Sequence, residues 1–461
     1  MEDSELVMGD QRRDRKRSVG RFSIVLFVVV TLLILSGCGN AGGPGGITTL
    51  RVQSSQGEGA QALQEIAIGF EKSHPNVKIS IETLDDTTSR GPNITVLSSG
   101  NAPDIGYLQR STGVYSVLVQ NNELASLDAL WKQLNLAGQY GTQTTSYYTA
   151  NNHHYAVLLD TLLICPIFYN KQIFEKAHVS APANHQFTSM DQWYALVDGL
   201  HKAGYQALGV GGASPYDLGH DLDALFPSAV TRQQSDEYIT DWQPGTPETV
   251  KYTDPGFINT LQTLMDWKQR GVFEDGFLGF QVQQAEGEFA AGKLAMIQGG
   301  SYSPSGLQQA GVDLNNLGWF MAPPVIPGVM TPFDVYTGDS FVIPAHAKHQ
   351  QLAAEFLSYL MQPDVISTYA AENGSIPPYS DTISASVLKR YSPLVQEMLQ
   401  LRQQFGLVGI WDSDVPGEIG QKTEVPLLQA MLSGQANVQQ TAQKFQDALD
   451  HVRSEPPTPL D

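Results

Sequence analysis

The chain runs to 461 residues with 43 Gly and 26 Pro, ordinary globular usage that excludes collagen-like and low-complexity architectures. Its 41% hydrophobic content can bury a full core, and at ~100–200 residues per domain the length implies two or more lobes. Acidic residues outnumber basic ones 47 to 27, a net charge of −20 that argues against nucleic-acid partners, and 2 cysteines exclude a disulfide framework or a four-thiolate zinc site.

The first element along the chain reads as an export signal. Arg12, Arg13, Arg15, Lys16, Arg17 and Arg21 precede an apolar run from Phe22 to Leu35, broken only by Ser23 and Thr31. That run suits a signal-peptide core and falls short of the roughly 20 residues that span a bilayer. Leu35-Ser36-Gly37-Cys38 follows and resembles the bacterial lipoprotein processing motif, in which the Cys is lipidated and becomes the new N-terminus. A cleavable secretory signal with an incidental Cys, or a single-pass anchor, is the alternative. On the lipoprotein reading, residues 1–37 are the signal peptide and 38–46 a Gly/Pro-rich flexible tether. The folded body then sits outside the cytoplasm, anchored to the cell membrane through lipid on Cys38.

Strand-like and helix-like stretches alternate beyond the tether. Thr48–Gln53 reads as a strand, and Val77–Ile81 as a half-buried one. Between them, Gly57–Lys72 carries Leu63, Ile66, Ala67 and Phe70 at helical spacing and ends at His74-Pro75. Asn101–Asp104 turns into an Ile105–Tyr107 strand, and this β-α-β-turn-β order predicts an α/β fold. Pro166–Asn170 continues as an apolar strand, with a helix from Lys171. Ser189 and Asp254-Pro255 open helices whose apolar faces carry Trp193, Leu196, Val197 and Leu200, and Phe257, Leu261, Leu264 and Trp267. Ala353–Met361 is helical up to Pro363, and a last helix spans Val438–Val452. Pro215–Gly219, Trp242–Pro247 and Gly299–Gly306 read as loops rich in Tyr, Trp, Asp and Gly.

Several motifs suggest chemistry and fail on their details. Gly287–Lys293 has the spacing of a phosphate-binding loop, but Leu294 stands where a Ser or Thr holds magnesium, and Glu288 lies inside the would-be cradle. His153 and His154 would point to opposite sides of an extended chain, so no shared metal is assigned. Asn93-Ile94-Thr95 is a glycosylation sequon by pattern only. Cys165 lies in the apolar run Leu162–Phe168 and reads as a small buried hydrophobe. No Gly-x-Ser-x-Gly turn marks a serine hydrolase. Neither catalytic residues nor a cofactor or metal are expected.

Segments in chain order then share one pattern: Phe70–Ile79, Ala102–Ile105, Tyr155–Val157, Phe168–Phe174, Phe289–Met296 with Gly299-Gly300, Gly338–Pro344, Ala353–Leu357, Asn373–Pro377 and Leu432–Gly434. Together they resemble the bacterial extracellular solute-binding proteins of the maltose-binding type. One departure is Val52-Gln53-Ser54, which lacks the aromatic residue common there in sugar-binding relatives. The resemblance implies an α/β, two-lobed periplasmic-binding-protein fold (type II) with discontinuous lobes and a cleft between them. Its crossings fall near Leu162–Phe168, Gly338 and about Ser380. Lobe I is then 47–163 plus 339–380, lobe II 164–338 plus 381–453, and 454–461 a tail. The resemblance also implies a monomeric, non-enzymatic binding subunit of an ABC importer. It would close on a carbohydrate by a hinge and deliver it to transmembrane permease subunits.

Sugars are held by stacking their C–H faces on aromatic rings while hydroxyls bond to carboxylates and amides. The chain's 18 Tyr and 6 Trp supply such rings. Candidate ligand-binding residues are Gln56 and Glu58 after the first strand, Asp86 after the second, and Asp160 before the lobe crossing. Tyr216, Asp217 and Asp221 lie in or beside a glycine-rich loop, and Tyr302 follows the Gly299-Gly300 turn. Tyr336 and Asp339 precede the return strand, and Trp411 with Asp412 sits in a late loop. Asp104 reads as a structural turn former. A non-sugar solute (polyamine, peptide or metal) remains open, as does a secreted glycoside hydrolase, although no carboxylate pair stands out as acid and nucleophile.

Overall fold

The computed structural model describes residues 46–55, 58–84, 93–109, 114–150, 152–242, 247–337, 339–378, 383–415, 419–420 and 422–454. The expected signal peptide, Cys38, Gln56, Asp86, most of the Trp242–Pro247 loop and most of the tail lie outside the described residues.

β1 (Thr48–Ser55) leads through α1 (Glu58–Ser73) to β2 (Val77–Leu84), which lies parallel to β1 with Thr48 opposite Val77. β3 (Gly106–Gln109) joins β1 through a parallel bridge between Val52 and Ile105. A small hairpin of β4 (Thr149–Ala150) and β5 (His153–His154) precedes β6 (Ala156–Leu158). Further on come β7 (Thr161–Asn170), α2 (Met190–Lys202), β8 (Gln206–Gly209), α3 (Asp217–Leu225), α4 (Pro255–Gln269), β9 (Leu294–Gly300), β10 (Leu317–Met321), β11 (Phe333–Thr337) and β12 (Asp339–Val342). The chain ends with α5 (Gln350–Leu360), α6 (Pro363–Glu372), β13 (Leu407–Gly409), α7 (Trp411–Asp414), α8 (Glu424–Leu432) and α9 (Val438–Ser454).

Apart from the β1–β2 pair and the β4–β5 hairpin, the strands form two sheets, each packed against its own core. In the first, β12 lies antiparallel between β3 and β6, and Leu63, Phe70 and Phe356 from α1 and α5 pack with Val52 and Phe341. In the second, β7 pairs with β11 through its first half and with β10 through its second, while β9 takes its other edge. β8 extends the sheet beyond β9, and β13 extends it beyond β11. Trp193 of α2 and Phe257 and Trp267 of α4 fill one face of that sheet.

The chain passes between the sheets three times. Leu159 and Asp160 link β6 to β7, β12 follows closely on β11 in the chain, and Asn373–Ile376 leads away from α6. The first passage lies ahead of Leu162–Phe168 because all of β7 pairs in the second sheet. There β7 bulges: its register against β9 shifts between Ile164 and Ile167, and Cys165 takes a φ of 76°. Cys165 is fully buried, as the apolar run predicts.

Several local expectations change. Asp217 onward is helix rather than loop, and Ser303–Gln309 is helix within the expected Gly299–Gly306 loop. Pro363 opens α6 as well as ending the preceding helix, because the first helical position has no use for an N–H. His153 and His154 do not diverge: their Nδ1 atoms lie 2.6 and 3.0 Å from the two oxygens of Asp128. Asn93, the sequon residue, is fully buried and exchanges amide bonds with Gln53 at 3.0 and 3.1 Å.

Candidate functional site

Asp160 sits where the first crossing leaves β6 and is 1% exposed. Its Oδ1 accepts from the Asp339 amide at 3.0 Å, and its Oδ2 accepts from the Asn373 side-chain amide at 2.9 Å. One carboxylate therefore ties all three crossing segments together. Burial raises its pKa, opposed by the bonds from Ser375, Asp339 and Asn373. A carboxylate with both oxygens engaged is a hinge fastener rather than the ligand contact expected of it. Asp160→Ala would strand two part-buried donors and is expected to cost about 1–3 kcal/mol. A melting curve checks this, and an unchanged midpoint would remove the fastening role.

Asp339 opens the returning strand and is half-buried. Its Oδ1 accepts from the Tyr107 hydroxyl at 2.5 Å. Burial, then the charge of Asp339, holds the Tyr107 phenol well above its usual range. Tyr336, at the end of β11 in the second sheet, is close enough to add to that effect, as is Tyr369 of α6. Tyrosines from both sheets thus gather around Asp339.

The ends of β8 and β9 carry a second group. Tyr302 is half-buried just past Gly299-Gly300, which close β9 as strand rather than forming the expected turn. A Cβ on Gly300 would meet the Tyr302 ring at 2.6 Å, and one on Gly374 would meet the Tyr302 backbone at 3.0 Å, so both positions need glycine. Tyr216 caps α3, with its ring 5.3 Å from that of His220. Asp217 accepts from the Gly211 amide at 2.6 Å, which folds the glycine loop back onto the helix. Burial pushes its carboxyl up to about 6; the Gly211 bond opposes this and the Glu286 charge adds to it. Asp221 is 1% exposed and neither of its oxygens has a hydrogen-bond partner among the described residues. Burial, then Asp217 and Glu274, raise its pKa well above the carboxylate range.

Trp411 and Asp412 take a different course. Trp411 is 2% exposed, its indole N–H donates to the Tyr252 hydroxyl at 2.9 Å, and its ring packs with Phe257 and Phe445. It fills the second core and offers no face to a guest, so the expected late loop is instead the buried turn α7. Asp412 is buried beside Ser413, whose hydroxyl donates to its Oδ1 at 2.5 Å. The Trp411 amide donates to Asp223 Oδ1 at 3.1 Å, which brings α7 against α3. Glu58 begins α1, with its side chain outside the description.

The structure therefore brings Asp160, Tyr336 and Asp339 together at the crossing, and Tyr216, Asp217, Asp221 and Tyr302 at the neighbouring strand ends. Sequence reasoning passed over Tyr107, Asp223, Glu274, Asp334 and Glu424. An acid at an alternating position of an otherwise apolar strand, as in Phe333-Asp334-Val335, is the signal that points to one of them. No group of three His, Cys, Asp or Glu among the described residues can hold a metal ion. The gathered phenols and carboxylates suit hydrogen bonding to a polar guest.

Comparison with known proteins bears on the family and the fold. A family model described as bacterial extracellular solute-binding protein matches residues 53–366. An uncharacterised ABC transporter extracellular-binding protein of Pyrococcus horikoshii is 22% identical over 326 residues, covering 70% of this chain and 69% of that one. Among solved structures, a chitin oligosaccharide binding protein has a TM-score of 0.72 at 17% identity, covering 89% of this chain and 100% of its own. The solute-binding protein RafE in complex with raffinose gives 0.68 at 18%, with 88% and 100% covered. Maltose-bound MalE3 of T. maritima gives 0.67 at 17%, with 88% and 99% covered.

Proposed function

The chain belongs to the bacterial extracellular solute-binding protein family and has its two-lobed, maltose-binding-like fold; from that premise we propose that it binds a sugar or oligosaccharide between the lobes for an ABC importer. The observation that carries the reading is the meeting of three crossing segments on Asp160, with phenols and carboxylates gathered at the adjoining strand ends. Carboxylates accept from sugar hydroxyls more strongly than neutral groups do, and tyrosine offers an apolar ring with a polar edge. The similar structures are described with chitin oligosaccharide, raffinose and maltose, all saccharides.

On this reading Tyr216, Asp217, Tyr302, Tyr336 and Asp339 contact the guest, and Gln56, Glu58 and Asp86 are the first lobe's candidate contacts. With the first crossing moved ahead of β7, the first lobe comprises 47–160 plus 339–380 and the second 161–338 plus 381–453. Closure about the crossings traps the guest, and transmembrane permease subunits recognise the closed form. The protein works as a monomer held to the outer face of the cell membrane by lipid on Cys38. It releases its guest chemically unaltered.

Calorimetric titration of the folded body with maltose, raffinose and chitin oligosaccharides, paired with X-ray scattering, tests the reading. Heat of association with at least one of them and a smaller radius of gyration are expected. Unchanged scattering with no heat for any would overturn it, as would new reducing ends after incubation.

A further inference from the structure

The third crossing carries the chain's only Asn-Gly pair, Asn373-Gly374. An asparagine followed by glycine loses its side-chain amide most readily, because no Cβ shields the next backbone nitrogen from the amide carbon. Both residues are fixed here for separate reasons. Gly374 takes a φ of 68°, and a Cβ on it would meet the Tyr302 Cα at 3.0 Å, so any other residue is strained. Asn373 supplies the amide that reaches Asp160 Oδ2 at 2.9 Å. The hinge therefore places a labile pair at the point where it is fastened.

Asn373 closes α6 with a φ of −78° and a ψ of 0°. At that ψ the Gly374 nitrogen eclipses the Asn373 nitrogen and is turned away from the side chain. The side chain is held as well. Its Nδ2 bonds to Asp160, and its Oδ1 lies where a Cβ on Gly59 of α1 would meet it at 3.0 Å. The Gly374 N–H is itself weakly held, with the Ala371 carbonyl 3.4 Å away, whereas the next two amides bond to Ala370 and Thr161 carbonyls at 2.8 and 2.7 Å. The nitrogen that would react is thus the loosest link of the passage. What keeps it from the amide is the posture that Asp160 imposes. Asn373 is half-buried rather than enclosed, which leaves it open to water.

We propose that Asn373 is a self-modification site of the hinge, held unreactive by its bond to Asp160 and converted to aspartate or isoaspartate when that bond opens. The Gly374 nitrogen loses its proton to solvent base and attacks Asn373 Cγ. The Cγ–Nδ2 bond breaks, and the nitrogen leaves as ammonia after taking up a proton. The cyclic imide (succinimide) that remains then adds water. Attack at Cγ returns an aspartate, and attack at the backbone carbonyl leaves an isoaspartate whose main chain runs through the side chain. Either product puts a carboxylate beside Asp160 where the fastening donor stood. Two like charges cannot replace that hydrogen bond, so one chemical event loosens the third crossing permanently.

The test is ageing of the folded body in mildly alkaline buffer, well below its melting midpoint, beside a free peptide of residues 372–376. Peptide mass mapping that separates aspartate from isoaspartate reads the conversion at Asn373. Conversion is expected at least about tenfold more slowly in the folded chain than in the peptide, and Asp160→Ala is expected to bring it within about threefold of the peptide. Trp411→Phe, which weakens the second core and leaves the crossing segments intact, should keep the parent rate. Equal rates in folded chain and peptide overturn the protection, and Asp160→Ala at the parent rate overturns the gate. Equal acceleration by Trp411→Phe also overturns it, because general unfolding is then the cause. The comparison with the peptide stands even where Asp160→Ala does not fold. Asn373→Asp, made directly, should melt below the parent, and an unchanged midpoint overturns the unfastening.

Discussion

Trp411→Ala is expected to destabilise the protein by roughly 3–5 kcal/mol, the range for emptying a fully buried aromatic site. The indole lies within 5.5–5.8 Å of the rings of Tyr252, Phe257 and Phe445, with two of the three contacts edge-to-face. Its N–H also satisfies the Tyr252 hydroxyl, so truncation opens a cavity and strands a buried polar group together. These rings come from α4, α7, α9 and the segment before α4, so their loss loosens the second core where four pieces of chain meet. Thermal melting should show a midpoint lowered by several degrees, with weakened near-ultraviolet circular dichroism. Trp411→Phe should recover part of the loss, since it keeps an aromatic ring in the site while giving up the indole's second ring and its N–H. A midpoint for Trp411→Ala within about one degree of the parent would show that the ring is not part of the core, given the ~2 °C expected per kcal/mol in a unit of this size.

The buried acids give the second large effect, a stability that declines as pH rises. Burial lifts Asp217 from 3.8 to about 6 and Glu274 from 4.5 to about 7, and it pushes Asp223, Asp334 and Glu424 well above their ordinary values. A raised acid holds a proton in the folded chain that the unfolded chain releases. Its stabilisation is therefore complete below the unfolded value, near 4, and is lost as pH passes upward through 6 and 7. Each pKa unit corresponds to about 1.4 kcal/mol, so Asp217 and Glu274 each withdraw on the order of 3 kcal/mol across that window. Melting midpoints of the guest-free protein should fall steadily from about pH 5 to pH 8, against the common trend in which acids titrate below their ordinary values. Glu274→Gln should flatten the slope between pH 5 and 7, because an uncharged amide has nothing to titrate there. A midpoint that climbs through this interval would show that these carboxyls are solvated or already paired.

Much of the fold was legible because its amphipathic elements carry their address in their spacing. Leu63, Ala67 and Phe70 mark α1, and Phe257, Leu261 and Leu264 mark α4, since each presents one apolar stripe to one core. The α3 helix was not legible. All nine of its residues are buried, with acids at 217, 221 and 223, so no polar face alternates with an apolar one and its Asp and Gly content reads as a loop. The site divides along the same line. Tyr302 and Asp339 follow from local turn and strand signals, whereas the fate of Asp160 depends on Asp339 and Asn373, both far along the chain. Trp411 was read as a cleft aromatic because its own segment is polar; the rings that enclose it lie more than 30 residues away in sequence in either direction.

The position of β12 constrains the order in which the molecule can assemble. It is the middle strand between β3 and β6, yet it is made only after the whole of β7 to β11. Until Val342 has been synthesised, β3 and β6 have unpaired edges facing one another, and the early lobe has no means of closing. A ribosome that has finished the first third of this protein thus holds a chain whose early sheet still lacks its middle strand, a pairing that must wait for residues made far later.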